Sequence, residues 1–259
     1  RAGRFPSIQF GIEMAFLSLQ SKIPFELFPS AFTNGNKNIR INGLVWMGTL
    51  ADMRAQAIEK IAAGFRTVKL KIGALDWPQE LALLQELRAQ APATALTIRV
   101  DANGAFSPVQ AREVLQELAR LGVHSIEQPI AKGQLTEMSK LCTETKVPIA
   151  LDEELIGVVS RTEKIALLEQ INPQYIILKP SLHGGFTGVK EWITLAEERQ
   201  IGWWLTSALE SAIGLSAIVQ FGAGYSLEIA QGFGTGGLYT NNFHSSLAIE
   251  NGHIYWLND

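Results

Sequence analysis

The feature that most restricts the fold of this chain is an alternation of short apolar runs with amphipathic helical segments, which continues from residue 39 to residue 232. Its clearest unit is Leu96–Pro108, in which the β-branched run Thr97–Val100 is followed by a turn and then by Ser107 and Pro108. Serine is a preferred N-cap and proline a preferred first helical residue, so this strand is predicted to lead into a helix. Repetition of the unit predicts eight strands separated by seven helices, the last strand being Ser226–Ala230.

The predicted strands are mostly continuous apolar runs, which are typical of parallel sheets buried on both faces. A chain of 259 residues, of which 47% are hydrophobic and 18% charged, is long enough for one eightfold barrel with a large core. The number of strands and the chain length favour a closed barrel over an open doubly wound sheet. We therefore predict an α/β fold, a (β/α)7β TIM-like barrel.

Composition argues against several classes of partner and location. The formal net charge is −3 without a basic block, so neither nucleic acid nor an anionic membrane surface is an expected partner. No apolar run reaches the ~18 residues of a membrane span, and no signal-peptide pattern opens the chain. The single cysteine, Cys142, excludes an internal disulfide and is typical of a reducing compartment, so we expect a cytoplasmic protein. The sequence does not determine the oligomeric state.

The segments outside the alternation differ in composition. A helix is predicted over Pro6–Gln20, and its apolar spacing is carried by Ile8, Ile12, Ala15, Phe16 and Leu19. The polar stretch Pro29–Asn38 predicts a domain boundary. The parts are therefore residues 1–38, a barrel over 39–232, and a glycine-rich, then strand-like segment over 233–259 that is expected to pack back on the first part. Because the chain begins at Arg1 without a strand before its first helix, we expect an N-terminal portion to be missing.

Six polar residues interrupt apolar surroundings at the carboxyl ends of successive predicted strands, at intervals of 25 to 30 residues. They are Lys71, Asp101, Glu127, Asp152, Lys179 and Ser207. One interval is one strand–helix unit, so closing the barrel brings all six to a single mouth. Ionised groups in such surroundings cost several kcal/mol unless they are paired or bound to a metal. Since catalytic residues of barrels lie at this end of the strands, the pattern predicts an active site.

Three of these residues have the chemistry of a metal site. Asp101, Glu127 and Asp152 offer only oxygen, with no His or Cys beside them. Hard oxygen ligands with positions left open for water and substrate are better suited to Mg²⁺ than to Zn²⁺. Asn103 and Glu153, two and one residues beyond two of these carboxylates, are expected to hold the ligands in place.

The lysines predict proton abstraction. Lys69 and Lys71 share one strand face because strand side chains alternate with period two. Two ammonium groups near each other and near a metal are expected to lower each other's pKa, as a lysine base requires. Lys179 follows the strand after Asp152 and is expected roughly across the barrel from Lys71. A lysine on each side of a metal-held carboxylate predicts removal of a proton next to that carboxylate.

Five short motifs occur in a characteristic order. They are KLK at Lys69–Lys71, DAN at Asp101–Asn103, EQP at Glu127–Pro129, DE at Asp152–Glu153 and KPS at Lys179–Ser181. In this order and spacing they resemble the enolase superfamily, and more narrowly its muconate-lactonizing subgroup, which carries a lysine on both the second and the sixth strand. Within that subgroup, Thr206–Ile218 and Gly232–Phe243 resemble the o-succinylbenzoate synthases. Pro6–Ala15 resembles the last part of that family's capping domain, so residues 1–38 are expected to be a partial cap whose earlier strands and substrate-covering loop are absent from this sequence.

The resemblance implies a reaction and a role for the central residues. Asp101, Glu127 and Asp152 would bind Mg²⁺, for which Mn²⁺ can substitute, and the metal would bind a small-molecule carboxylate. Lys71 would remove the proton α to that carboxylate and then protonate the departing hydroxyl. The implied reaction is the syn dehydration of 2-succinyl-6-hydroxy-2,4-cyclohexadiene-1-carboxylate to 2-succinylbenzoate through an enediolate, in menaquinone biosynthesis.

The resemblance also implies the remaining substrate contacts. Lys69 would stabilise the charge of the enediolate, and Lys179 would lie on the opposite ring face in a cation–π contact. Ser207 is expected to hold the succinyl tail, and Ser181 and Gly234 complete the expected substrate-binding residues.

Other activities stay open at this point. Two opposed lysines are equally suited to an N-acylamino acid racemase or a dipeptide epimerase of the same subgroup. Dipeptide epimerases usually carry an Asp-x-Asp pair after the eighth strand, whereas Gln231–Gly234 contains no acid. A Schiff-base aldolase using Lys179, or a non-catalytic barrel, leaves the three strand-end carboxylates without a purpose.

Two further polar residues have bland interpretations. Glu210 is interpreted as the first residue of a helix, where a carboxylate favours the helix dipole. Among the four scattered histidines, which lack ligand spacing, only His183 follows a strand-end lysine closely.

Overall fold

The computed structural model describes residues 5–257 and is built on a curled sheet of seven parallel strands with helices packed against it. In chain order the elements are α1 (Pro6–Gln20), β1 (Ile39–Arg40), β2 (Gly43–Val45), α2 (Leu50–Ala62), β3 (Thr67–Lys71), α3 (Trp77–Gln90), β4 (Thr97–Asp101), α4 (Pro108–Arg120), β5 (Ser125–Glu127), α5 (Leu135–Glu144), β6 (Ile149–Leu151), α6 (Arg161–Ile171), β7 (Tyr175–Leu178), α7 (Gly185–Glu197), β8 (Gly202–Leu205), α8 (Ala212–Ala223), β9 (Leu247–Glu250) and β10 (His253–Trp256). The parallel sheet runs from β2 to β8 in chain order, as the alternation of strand and helix predicts.

The register of this sheet brings the ends of its strands level. Lys71 ends β3 and pairs with Asp101, which ends β4 and pairs in turn with Glu127 at the end of β5. Strands β6 and β7 end one residue before Asp152 and Lys179, respectively. Parallel pairing therefore places these five residues at one edge of the sheet, as predicted from their intervals.

The predicted eighth strand is displaced in the structure. Ser226–Ala230 forms no strand, and pairing occurs at the next two residues, where Gln231 bridges to Ile41 and Gly232 bridges to Thr206. The Gln231 side chain takes part because its Oε1 accepts a hydrogen bond from a main-chain N–H of β8. Since a side-chain amide supplies part of this pairing, an apolar pattern could not locate it.

The helix starts follow from capping chemistry. Ser107, the predicted N-cap of α4, accepts a hydrogen bond from the main-chain N–H of Gln110, whose side chain bonds back to the Ser107 N–H. Thr49 and Ser160 form the same reciprocal arrangement at α2 and α6. These caps fix the point at which each connection after a strand end becomes a helix.

Helix α1 has the predicted bounds, but the side that it buries is not the predicted apolar stripe. Phe10 is its buried residue and meets Phe186 of α7 at a ring distance of 5.2 Å. The stripe residues Ile8, Ile12, Phe16 and Leu19 are exposed. Apolar spacing identifies an amphipathic helix without saying which neighbour covers its apolar side. No helix within residues 5–257 has the combination of length and apolar character needed to cross a membrane.

The C-terminal strands form a second, smaller sheet. Strands β9 and β10 are an antiparallel pair, and β10 continues the pairing to β1 through Ile254 and Ile39. Trp256 also meets Phe32 edge-on at 6.2 Å. The proposed 1–38 and 233–259 segments therefore touch, although residues 1–4 and 258–259 of those segments lie outside the described residues.

Candidate active site

Two lysines of β3 bind the neighbouring carboxylates. Lys69 Nζ donates to Asp101 Oδ2 at 2.9 Å and to Glu127 Oε2 at 2.8 Å. Lys71 Nζ donates to the same Asp101 oxygen at 2.6 Å. Both carboxylates are almost completely buried, so these ion pairs lie in a region of low dielectric. The structure thus brings together four of the residues predicted to act.

A second ion pair joins the next two strand ends. Lys179 Nζ donates to Asp152 Oδ2. The main-chain N–H of Asp152 donates to Gln128 Oε1 at 3.2 Å, and Gln128 itself has a positive φ of 40° directly after Glu127. The side chain beside one carboxylate therefore holds the backbone of the next, a contact that the motif letters alone do not reveal.

The charges in this network shift one another's pKa values. Burial would lower the pKa of Lys69, but the attraction of Asp101 and Glu127 raises it above its usual value. Burial would raise the pKa of Asp101, but the two lysines lower it. For Glu127, burial is the largest effect and raises the pKa. The expected lowering of the lysine pKa is therefore wrong for Lys69, because two carboxylates bind its ammonium group directly.

Asn103 and Glu153 extend the network. Lys71 Nζ donates to Asn103 Oδ1 at 2.7 Å, and Asn103 Nδ2 donates to Glu153 Oε1 at 2.8 Å. The main-chain N–H of Asn103, which has a φ of 44°, donates to Asp101 Oδ1 at 3.1 Å. Burial, followed by the nearby charge of Asp152, raises the pKa of Glu153. Asn103 thus contacts both a predicted ligand and the predicted base.

A cavity of 220 Å³ opens at this edge of the sheet. The predicted residues that line it are Lys69, Lys71, Asp101, Glu127, Lys179, Ser207 and Gly234. Asp152 is outside this lining and meets the cavity through Lys179. The Ser207 hydroxyl is 2.5 Å from the hydroxyl of Thr235 and accepts a hydrogen bond from the Leu209 N–H.

Sequence reasoning missed part of this cavity wall. Asn42, Leu44 and Trp46 line it from β2 and its two flanks, and Thr235 and Leu209 line it from later loops. The first three alternate along one predicted strand, so the period of two could have placed them on one face with Lys69. The two loop residues carry no such signal.

Ser181 and Glu210 form a brace outside the cavity lining. Ser181 Oγ donates to Glu210 Oε1, and the Ala208 N–H donates to Glu210 Oε2 at 2.7 Å. Helix α8 begins at Ala212, so the interpretation of Glu210 as a helix-opening residue is wrong. Its carboxylate instead joins the loops that follow β7 and β8.

His183 holds the backbone of Lys179. The Lys179 N–H donates to His183 Nδ1 at 3.0 Å, and the His183 N–H donates to the Lys179 carbonyl at 3.0 Å. Burial lowers the pKa of His183 to about 3, so its ring is neutral, and acceptance at Nδ1 places the proton on Nε2. The histidine therefore fixes the turn that carries Lys179.

Comparison with known proteins identifies the family to which this arrangement belongs. The family model "Enolase C-terminal domain-like" matches residues 52–258. The chain belongs to this family. It is 52% identical over 250 residues to an o-succinylbenzoate synthase of Desulfotalea psychrophila, covering 96% of this chain and 68% of that protein. It is 29% identical to an L-Ala-D/L-Glu epimerase of Bacillus subtilis, covering 66% of this chain and 46% of that relative.

Solved structures of enolase-family proteins have the same fold. The crystal structure of MenC from Desulfotalea psychrophila superposes with a TM-score of 0.92 at 51% identity, covering 98% of this chain and 70% of that one. A substrate-liganded L-Ala-D/L-Glu epimerase from Bacillus subtilis superposes with a TM-score of 0.81 at 21% identity, covering 96% and 68%, and that likeness concerns the fold alone.

Enolase superfamily enzymes use a divalent metal. Within residues 5–257, no three His, Cys, Asp or Glu side chains form a group arranged to hold a metal ion, because lysines bind the strand-end carboxylates instead. Glu127 Oε1 and Asp152 Oδ1 are nevertheless buried without a hydrogen-bond partner among the described residues. Two unpaired carboxylate oxygens beside Asp101 are a donor set that suits a hard divalent cation.

Proposed function

We propose that this chain catalyses the metal-dependent syn dehydration of 2-succinyl-6-hydroxy-2,4-cyclohexadiene-1-carboxylate to 2-succinylbenzoate, a hydro-lyase reaction of menaquinone biosynthesis. The observation that carries the proposal is the network in which Lys69 and Lys71 bind Asp101 and Glu127, with Lys179 on Asp152, around one cavity. The 52% identity to an o-succinylbenzoate synthase supports it.

The same proposal includes the closed form of the fold. The bridges of Gln231 to Ile41 and of Gly232 to Thr206 support closure of the seven-stranded sheet into a (β/α)7β barrel over residues 39–232. Residues 1–38 would then be a partial capping domain, and residues 233–259 would pack back on it through the contact of Trp256 with Phe32.

Asp101, Glu127 and Asp152 are the residues that would hold the metal, and their oxygen chemistry favours Mg²⁺, for which Mn²⁺ can substitute. When bound, the cation would hold the substrate carboxylate and make the adjacent C–H bond more acidic. Asn103 orients Asp101 through its main-chain N–H and reaches Glu153 through its amide. These two residues would keep the ligand oxygens in position.

The lysines divide the chemical work. Lys71, as a neutral amine, takes the α proton, and the electron pair of the broken C–H bond enters the carboxylate as an enediolate. The ammonium so formed gives the same proton to the 6-hydroxyl; the C–O bond breaks, water leaves, and the returning electron pair completes an aromatic ring. Lys69, whose pKa is raised, stays charged and stabilises the enediolate. Lys179 contributes its charge from the other ring face.

The remaining contacts concern the substrate and its setting. Ser207 and Gly234 line the cavity and would hold the succinyl tail, and Ser181 would act through Glu210, which its hydroxyl binds. The substrate is a small carboxylate, and Cys142 is a free, buried thiol, which suits the reducing cytoplasm as the place of action.

Racemisation of N-acylamino acids is a second candidate, because Lys71 and Lys179 line the same cavity from strands that are four apart in the sheet. Two lysines on opposite faces of one carbon could exchange its proton from either side. The absence of an acid in Gln231–Gly234 argues against a dipeptide epimerase.

The decisive experiment supplies the purified protein with the cyclohexadiene substrate and, in parallel, with a panel of N-succinyl amino acids. We expect 2-succinylbenzoate to form with Mg²⁺, to stop forming in excess EDTA, and to form again when Mg²⁺ or Mn²⁺ is restored. Full dehydration in excess EDTA, or trapping of substrate on Lys179 by borohydride, would contradict the proposal. Racemisation without dehydration would replace it by the second candidate.

A further inference from the structure

Asn42 is a buried amide in the wall of the active-site cavity. It lies just before β2, its side chain is 3% exposed, and its Oδ1 has no hydrogen-bond partner among the described residues. Its main chain is anchored, because the Asn42 N–H donates to the Gln231 carbonyl at 2.9 Å. The side chain is therefore held in place by its backbone and not by partners of its own.

Other buried amides of the described chain are paired. Gln128, Gln220 and Gln231 are completely buried, and the amide oxygen and nitrogen of each have partners. Burying an amide without a partner costs free energy, so buried polar groups in native proteins are nearly always bonded. Asn42 is an exception, and it is an exception in the cavity where a substrate would bind.

The surroundings of Asn42 indicate what the amide can bind. The lysine–carboxylate network supplies the charged part of the cavity, whereas Asn42 is uncharged and borders the turn of Gly234 and Thr235. A Cβ at Gly234 would come within 2.9 Å of the Asn42 carbonyl oxygen, so glycine keeps the space beside this residue open. An uncharged amide suits an uncharged acceptor, and a half-turn of its terminal group presents an N–H in place of the oxygen.

We propose that Asn42 is a substrate-binding residue that determines specificity by donating a hydrogen bond to the acyl carbonyl of the substrate. This inference rests on the proposed function, in which the acyl carbonyl is the ketone of the succinyl arm. The N-acylamino acids of the second candidate carry a carbonyl in the corresponding arm. Asn42 thus recognises the arm, while the lysine–carboxylate network acts on the carboxylate.

The test compares two ligands that differ only at that carbonyl. Calorimetry in the presence of Mg²⁺ measures the affinity of 2-succinylbenzoate and of 2-(3-carboxypropyl)benzoate, in which a methylene replaces the ketone. We expect the wild-type protein to prefer the ketone by about tenfold, the worth of one hydrogen bond, and Asn42→Leu to bind both ligands with equal affinity. In turnover, Asn42→Leu should raise KM by a similar factor and leave kcat within about threefold.

Stability separates this role from a structural one. Leucine is close to asparagine in shape and removes an unpaired polar group, so the Tm of Asn42→Leu should equal or exceed that of the wild type. Gln174→Met is the matched control, since Gln174 precedes β7 at the opposite end of the sheet and pairs with the Ile149 N–H and the Cys142 carbonyl. That variant should lower the Tm and leave the ligand preference unchanged.

Several outcomes would overturn the inference while leaving the proposed function intact. One is an Asn42→Leu protein that still prefers the ketone; another is a wild-type protein that dehydrates its substrate but binds both ligands equally. A fall in Tm as large as that of Gln174→Met, with both affinities reduced by the same factor, would assign Asn42 a structural role. Should leucine prevent folding, Asn42→Ala provides the same ligand comparison. Failure of the wild-type protein to dehydrate the substrate would count against the proposed function itself.

Discussion

Two sets of buried carboxylates in this molecule differ in how fully they are paired. Glu80 accepts hydrogen bonds from the main-chain N–H groups of Gly73, Ala74 and Leu75, and both of its oxygens are used. Glu127 binds only Lys69 through one oxygen, and its other oxygen is buried without a partner among the described residues.

The same contrast recurs one strand further along. Glu154 uses both oxygens, binding the Gly133 N–H at 2.7 Å and Gln128 Nε2 at 3.1 Å. Asp152, two residues earlier, pairs one oxygen with Lys179 and leaves the other unpaired. A buried carboxylate with all its partners shapes a loop, whereas one with an unused oxygen has capacity for a ligand. The difference separates structural from functional acids within a few residues of each other.

The largest expected effect tests the cation side of the unsaturated set. Lys71→Ala should lower the rate of dehydration by about 10⁴-fold, because one amine serves both as base and as acid. Substrate deuterated at the α carbon should show a primary isotope effect in the wild-type protein if proton removal limits the rate. Activity within about tenfold of the wild type, a change of only about 1.4 kcal/mol, would mean that another residue is the base.

The second prediction exchanges one acid from each set. Glu127→Gln should reduce dehydration by about a thousandfold, since a Lewis acid supplies several kcal/mol. Its free energy of unfolding without metal should change little, because Lys69 keeps Asp101 and the unpaired oxygen has no bond to lose. Glu80→Gln should instead lose about 1.5–3 kcal/mol of stability, the worth of hydrogen bonds to a charged group.

Steady-state rates and urea unfolding measure the two effects of this exchange separately. Activity of Glu80→Gln, assayed well below its Tm, should stay within about threefold of the wild type. A Glu127→Gln protein that is unfolded but would be active when folded, or a Glu80→Gln protein that is stable but inactive, would reverse the distinction between the two sets.

Lys179→Arg separates two uses of the same charge. Arginine keeps the positive charge but cannot deliver a proton, so dehydration should fall by no more than about a hundredfold while any racemisation is lost. Solvent deuterium should then enter only one enantiomer of an N-succinyl amino acid, because Lys71 still serves its own face. Racemisation that persists in the arginine variant would show that Lys179 is not a second base.

The smallest catalytic effect concerns the support of Lys179. His183→Phe removes the acceptor of the Lys179 N–H and should reduce kcat by about tenfold with KM within about twofold. His183→Asn is the matched variant, because its Oδ1 can occupy the place of Nδ1 and should restore kcat to within about threefold. Equal rates in the two variants would mean that the histidine contributes packing alone.

Much of the parallel sheet could be predicted from sequence, because a buried strand followed by a capped helix leaves a repeated pattern. The interval between Lys71 and Asp101 spans one such unit, and the two residues indeed pair across β3 and β4. Helix α1 was placed by the same reasoning, yet its exposed stripe was not, since periodicity does not specify the covering element.

The details of the candidate site follow from contacts that no periodicity encodes. The pKa of Lys69 depends on which carboxylates reach its ammonium group, and this is set by three strands far apart in the chain. The role of Gln128 depends on a positive φ and on a bond to the Asp152 N–H. Asn42 has no motif at all, and only the absence of a partner among the described residues distinguishes it from a core amide.

The most direct test of the distinction between the two sets of acids is the change in Tm on adding Mg²⁺. A cation held by Asp101, Glu127 and Asp152 should stabilise the wild-type protein by about 2.7 kcal/mol at one hundred times its Kd, which raises the Tm by about 5 °C or more. Glu80→Gln should show the same rise from a lower starting Tm, and Glu127→Gln should show almost none. An equal Mg²⁺-dependent rise in Glu127→Gln, or no rise in the wild type, would contradict the assignment of the unsaturated carboxylates as metal ligands.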